Sequence, residues 1–133
     1  MASRPGLQTR VPFPGSRQDV AALMRAADLC VVPSRYEPCS LVLLEAMASG
    51  PSVITARTAG GAELVCRDFG VIVEDPQGVE AISAALQALR GDPERGRRMS
   101  SVARKVAEGY SRGRMALAWP DLCDALAARG HGS

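Results

Sequence analysis

Hydrophobic positions along the chain fall into short blocks whose period changes from block to block. From Arg17 onward, Val20, Leu23, Met24 and Ala27 recur at helical spacing, and "DLCVVP" follows as a continuous apolar run stopped by Pro33. That pattern predicts a helix and then a buried strand. "CSLVLLEAMASG" predicts a second helix: Ser40 suits an N-cap, Leu, Glu, Ala and Met are good helix formers, and Gly50 with Pro51 supplies the stop. "SVITAR" predicts another buried strand, "TAGGAELV" a glycine-containing turn with a single helical turn, and "GVIVED" a further short strand. Asp75 and Pro76 predict the cap and first residue of a helix whose apolar face is Val79, Ile82, Leu86 and Leu89, ending at Arg90 and Gly91. One more helix starts at "DPERGRRMSSVARKVA", and a last one runs through "RMALAWPDLCDALAAR", where Pro120 is expected to kink or divide it. Ahead of all these, "RVPFPG" supplies only a short edge strand, because Pro12 and Pro14 lack ladder donors.

Strands that alternate with helices, and that are continuous in apolar character, indicate an α/β fold with a parallel sheet covered by helices on both faces. About four strands are few for a doubly wound sheet with its own crevice, so the pattern reads as a partial Rossmann-like sheet. A length of 133 residues suits one modest domain. The expected division is a disordered leader over 1–10, the domain over 11–128 and a flexible tail over 129–133. No internal repeat or low-complexity linker interrupts it.

Composition narrows the function classes. Apolar residues make up 47% and charged residues 23%, and no apolar run approaches a membrane-spanning length of about 20 residues. The N-terminal "MASRPGLQTRVPFPGSR" has no continuous apolar stretch, so it does not read as a signal peptide and the cytoplasm is the expected compartment. Cys30, Cys39, Cys66 and Cys123 form no CxxC pair, and His131 is the single histidine, so neither a metal site nor a disulfide framework is expected. A net charge of +2 is too small to argue for nucleic acid. The arginines of "RGRRMSSVARK" have no interleaved aromatics and read as a solvated helix face.

Candidate chemistry lies in "SRYEPCSLVLLEAMASG", Ser34 to Gly50. In a parallel α/β sheet, ligands bind beyond the carboxyl ends of the strands, where helix N-termini also point. Glu37 is therefore expected on a crevice rim, and the amides of Leu41, Val42 and Leu43 are expected to face a bound anion. Glu45 lies one turn further along, in a helix otherwise almost entirely apolar, and is expected to be buried. A buried carboxylate needs partners, and a vicinal diol such as a ribose offers two hydroxyl donors to its two oxygens. Each acid alone also has a plainer reading. Glu37 suits a solvated loop, and Glu45 suits an ion pair with Arg35 or Arg57, or simple exposure of that helix side.

The stretch "PSRYEPCSLVLLEAMASGPSVITARTAGGAELV" resembles the signature region of retaining glycosyltransferases of the GT-B fold, family 4 above all, and is similar to bacterial glycogen synthases in its "EPC". The order of elements from about Arg10 to Met99 fits the same resemblance. It implies that Glu37 is the catalytic-site acid near the transferred sugar. It implies that backbone groups at Cys39, Ser40 and Leu41 contact the sugar or diphosphate, that Glu45 accepts from the ribose hydroxyls, and that the Thr58 to Gly61 turn, with Gly60 and Gly61, closes the donor pocket. Ser40 stands where the family more often has Gly, and "ASGPS" is one residue shorter than the usual turn.

Retaining hexosyl transfer from a nucleotide-diphosphate sugar is the activity so implied, with no metal or other cofactor. This chain would be the donor-binding C-terminal part. The first half of that domain, whose Arg and Lys grip the diphosphate, has no counterpart before Val11, which leaves Arg35 and Arg57 as the nearest candidate phosphate contacts. Implied partners are the nucleotide sugar and an N-terminal acceptor domain or partner chain, with self-association through an open sheet edge as a further expectation. In a full-length enzyme, peripheral membrane contact also belongs to the resemblance. The alternative is a non-catalytic nucleotide-sugar-binding or regulatory module of the same fold. The isolated chain is expected to be inactive.

Overall fold

The computed structural model describes residue 6, residues 9–65 and residues 68–130. Most of the expected leader and the end of the expected tail lie outside the described residues.

Element order follows the hydrophobic blocks: α1 (Val20–Ala26), β1 (Leu29–Val32), α2 (Leu41–Ser49), β2 (Ser52–Ala56), a 3₁₀ turn (Ala62–Leu64), β3 (Gly70–Val73), α3 (Val79–Gly91), α4 (Pro93–Glu108) and α5 (Arg112–Gly130). The strands form a parallel sheet in the order β1-β2-β3. Register places Leu29 opposite Ser52 and Ala56 opposite Val73, so the carboxyl ends of all three strands lie together. Central β2 is buried at every position, as a strand covered on both faces must be, whereas β1 and β3 are only partly buried.

The core forms where α2 and α4 meet β2. Leu43, Ala46 and Met47 of α2, Val53, Ile54 and Ala56 of β2, and Met99 and Ala103 of α4 are all almost fully enclosed. Met99 and Ala103 stand four apart on one helix face, and Gly96 one turn earlier lets α4 approach the start of β2, where the Ser52 hydroxyl donates to the Gly96 carbonyl at 3.1 Å. Full enclosure of these side chains contributes about 1.5–3 kcal/mol each for the larger ones.

Two expectations are corrected. The Val11–Gly15 segment carries no strand, and three strands, not four, are found among the described residues. Its two prolines supply neither donors nor a continuous ladder. Asp75 and Pro76 do not open α3. The Asp75 carboxylate instead accepts from the Gln77 amide at 2.8 Å and its carbonyl from Gly78 at 3.1 Å, forming a turn, so Gly78 is the N-cap and the helix begins at Val79. Of the two outcomes expected at Pro120, division does not occur: α5 is one helix with Pro120 inside it. Pro120 has no amide hydrogen to give to the helix ladder, which costs helix stability. At α4 the expectation holds: Asp92 is the N-cap, accepting from the Arg95 amide at 2.9 Å, with Pro93 in the first turn.

Candidate functional site

Two loops meet at the carboxyl ends of β1 and β2, and their backbones are stitched together. Gly60 donates its amide to the Glu37 carbonyl at 2.5 Å, the Ser40 amide donates to the Gly60 carbonyl at 3.1 Å, and Glu37 pairs in a parallel bridge with Ala59. The Thr58 hydroxyl donates to the Ser34 carbonyl at 2.8 Å. "SRYEPCS" and "TAGG" therefore form one unit, and the half-buried Glu37 is held by backbone bonds on the rim.

Glycine is required where the loops touch. A Cβ on Gly60 would lie 2.3 Å from the Pro38 carbonyl oxygen and 2.4 Å from that of Glu37, and Gly61 adopts φ +90°, the left-handed region. Gly61 then leads into the 3₁₀ turn, with its amide donating to the Glu63 carboxylate at 3.1 Å.

Ser40 is buried and caps α2, its hydroxyl accepting from the Leu43 amide at 3.3 Å. Its φ of −83° shows that this position does not need glycine. Capping changes the expected anion site. Leu43 is satisfied by Ser40, and the Leu41 amide donates to the Cys39 carbonyl at 3.1 Å, so of the three expected amides Val42 alone keeps no protein partner among the described residues. Cys39 and Leu41 are exposed beside it, with Leu41 at 65%.

Glu45 is exposed, contrary to the expected burial. Successive helical residues are rotated by about 100°, which sets Glu45 with Leu41 and Ala48 opposite the buried Leu43, Ala46 and Met47. It lines an open groove of about 550 Å³ between α2 and the α4–α5 junction, with Tyr110 and Arg112 on the other side. Glu37 and Glu45 therefore stand on the same stretch of chain, the first at the rim and the second one turn along the outer face of α2.

The two candidate arginines differ. Arg35 is exposed and forms no ion pair among the described residues. Arg57 is held in a bidentate pair with Glu74, both contacts at 2.6 Å. That pairing raises the Arg57 pKa and lowers the Glu74 pKa, the hydrogen bonds being the main cause in each. Glu74 is the partner that reading the sequence missed. The signal was present: Arg57 follows β2 and Glu74 follows β3, and parallel register sets those two positions side by side. Among the described residues no cluster of three His, Cys, Asp or Glu could hold a metal ion, and no helix is long and apolar enough to cross a membrane.

Residues 1–106 match the family model of glycosyl transferases group 1. The chain belongs to that family. This group 1 glycosyltransferase chain is 38% identical, over 96% of its length, to D-inositol 3-phosphate glycosyltransferases of Mycobacterium bovis and Mycobacterium tuberculosis, of which it covers 26%. It thus spans about a quarter of the length of those relatives. Its fold superposes on sucrose-phosphate synthase from Thermosynechococcus elongatus with a TM-score of 0.81 at 34% identity, covering 92% of this chain and 32% of that one. HepE of Anabaena, solved in complex with UDP-glucose, gives 0.78 at 27% identity, covering 92% and 34%. The glycosyltransferase WaaG, involved in lipopolysaccharide biosynthesis, gives 0.72 at 30%, covering 77% and 28%. The α/β architecture is that of GT-B glycosyltransferases.

Proposed function

We propose that this chain is the donor-binding part of a nucleotide-sugar-dependent, retaining glycosyltransferase of family 4, with residues 11–128 as the donor domain. The observation that carries the reading is the stitched loop pair: Gly60 fixes the backbone of Glu37 and Ser40 at the carboxyl ends of the strands, where a parallel α/β sheet binds its ligands. The family match and the UDP and UDP-glucose held by the HepE structures support the same ligand class.

In this reading the sugar lies against Glu37, and Cys39, Ser40 and Leu41 contribute backbone to its pocket. The Val42 amide, at the positive end of α2, points to the diphosphate. Glu45, being exposed, is free to accept from two ribose hydroxyls, and needs no burial to do so. Breaking the bond between the anomeric carbon and the diphosphate oxygen leaves its electron pair on the phosphate and positive charge on the sugar. The carboxylate of Glu37 stabilises the sugar, and the helix-terminal donor and cations such as Arg35 stabilise the phosphate. Arg57 must leave Glu74 to join them. Thr58, Gly60 and Gly61 shape the wall.

The exposed β1 edge and the apolar stripe of α5 support a further partner surface, taken by an acceptor domain, a partner chain or a second copy. Calorimetric titration with UDP, ADP and GDP tests the donor assignment. One nucleotide is expected to bind saturably, and Glu45→Gln to weaken it. Absence of binding by the folded chain, or equal affinity in Glu45→Gln, refutes the assignment of Glu45. Donor hydrolysis by the chain alone is expected to be absent.

A further inference from the structure

At the opposite pole, where the strands begin, lies a further cavity, a cleft of about 820 Å³ between the ends of α1 and α2 and the faces of α3 and α4. Leu29 and Ser52 mark the starts of β1 and β2 on its floor, so it is separated from the Glu37 rim by the length of the sheet.

Its charge is one-sided. Arg25, Arg90, Arg97 and Arg104 line it from three different helices, and Asp28 is the single acid in its lining. Part of this charge has a structural use. The Arg104 guanidinium donates to the Ser49 carbonyl at 3.2 Å and lies over Gly50, and Arg97 pairs with Glu94. The carboxyl ends of α1, α2 and α3 also converge here, each equivalent to roughly half a negative charge. With Arg97 neutralised by Glu94, the three remaining guanidinium groups still exceed Asp28 and those three ends. Arg25 and Arg90, in the last turns of α1 and α3, have no carboxylate partner among the described residues.

The lining is also mixed in the way a small-molecule site is. Leu86, 39% exposed, and Leu89 give an apolar wall, and Ser83 adds a hydroxyl. Guanidinium forks suit phosphate oxygens in bidentate geometry. We propose that this cleft is a second ligand site, separate from the donor crevice, that takes a phosphate-bearing small molecule with an apolar body, its phosphate held between Arg25 and Arg90.

The test is a titration of the full chain with inorganic pyrophosphate, followed amide by amide by nuclear magnetic resonance, for the native sequence and for the double variant Arg25→Gln, Arg90→Gln. Both side chains are exposed and neither makes an ion pair among the described residues, so the variant is expected to keep its dispersed spectrum. Saturable shifts are expected around Asp28, Gly91 and Gly96, weakened about tenfold in the variant. Shifts at the amides of Ser40 to Leu43, from any probe reaching the donor crevice, should be equal in the two proteins. A second arm uses sedimentation with vesicles of phosphatidylglycerol and phosphatidylcholine, against phosphatidylcholine alone. Binding to the anionic vesicles that the double variant loses identifies a lipid headgroup as the source of the phosphate, and pyrophosphate binding without vesicle binding identifies a soluble ligand. No saturable shift at the cleft, or equal affinity in the double variant, overturns the proposal.

Discussion

Replacing Gly60 by alanine tests whether the two loops of the donor crevice are one unit. The added Cβ would sit 2.3 Å and 2.4 Å from the carbonyl oxygens of Pro38 and Glu37, and 2.4 Å from the Pro38 carbonyl carbon. Ordinary contact begins about 1 Å further out, and all three atoms are backbone, so no side-chain rotation relieves the overlap. The loops must part by about that distance. The bonds from Gly60 to Glu37 and from Ser40 to Gly60 then break or lengthen. Two backbone bonds at about 0.5–1.5 kcal/mol each, together with about 1–3 kcal/mol of overpacking shared with that motion, give an expected loss of about 2–4 kcal/mol. Urea unfolding measures it, and with a slope of about 2 kcal/mol per molar the midpoint falls by about 1–2 M. Gly113→Ala is the control, because nothing lies within 4 Å of its Cβ position. A loss below about 0.5 kcal/mol for Gly60→Ala, within the range of ordinary surface substitutions, would refute the interlock.

Ser40→Ala should cost about 0.5–2 kcal/mol through loss of the α2 cap, while Ser40→Gly costs only a few tenths, as thermal or urea unfolding would show. The Arg57–Glu74 pair should make stability depend on pH in one direction. Because the folded Glu74 pKa is depressed, its contribution is present above the ordinary glutamate range and is lost as pH falls through the lowered value. Acid titration of stability for Glu74→Gln should lack that part of the slope, and added salt should shrink it in the native chain, since both groups are exposed.

The strands were legible because β2 and its neighbours are short apolar runs punctuated by Pro33, Gly50 and Pro51, and because parallel strands buried on two faces need little alternation. The start of α3 was misread because Asp75 and Pro76 serve a turn as well as they serve a cap, and the choice depends on where Gly78 leaves the chain. Glu45 shows a different limit. Its apolar neighbours suggested enclosure, yet angular position alone, opposite Leu43 and Met47, would have placed it outside. The interlock at Gly60 joins residues more than twenty positions apart, and the sequence holds only the glycine, not the carbonyls it makes room for. The basic cleft likewise gathers arginines from α1, α3 and α4 that look like separate solvated charges in the linear chain.

Helix α2 is gripped at both ends. Its N-terminus is tied through Ser40 to the Gly60 turn, and at its C-terminus Ser100 donates to the Gly50 carbonyl and Arg104 to that of Ser49. Nine residues span about 13 Å, so this helix is a strut whose two feet stand at opposite poles of the sheet. A strut pinned in this way does not fray from its tips, and its amides should exchange with solvent as a single cooperative block instead of in a gradient from the ends.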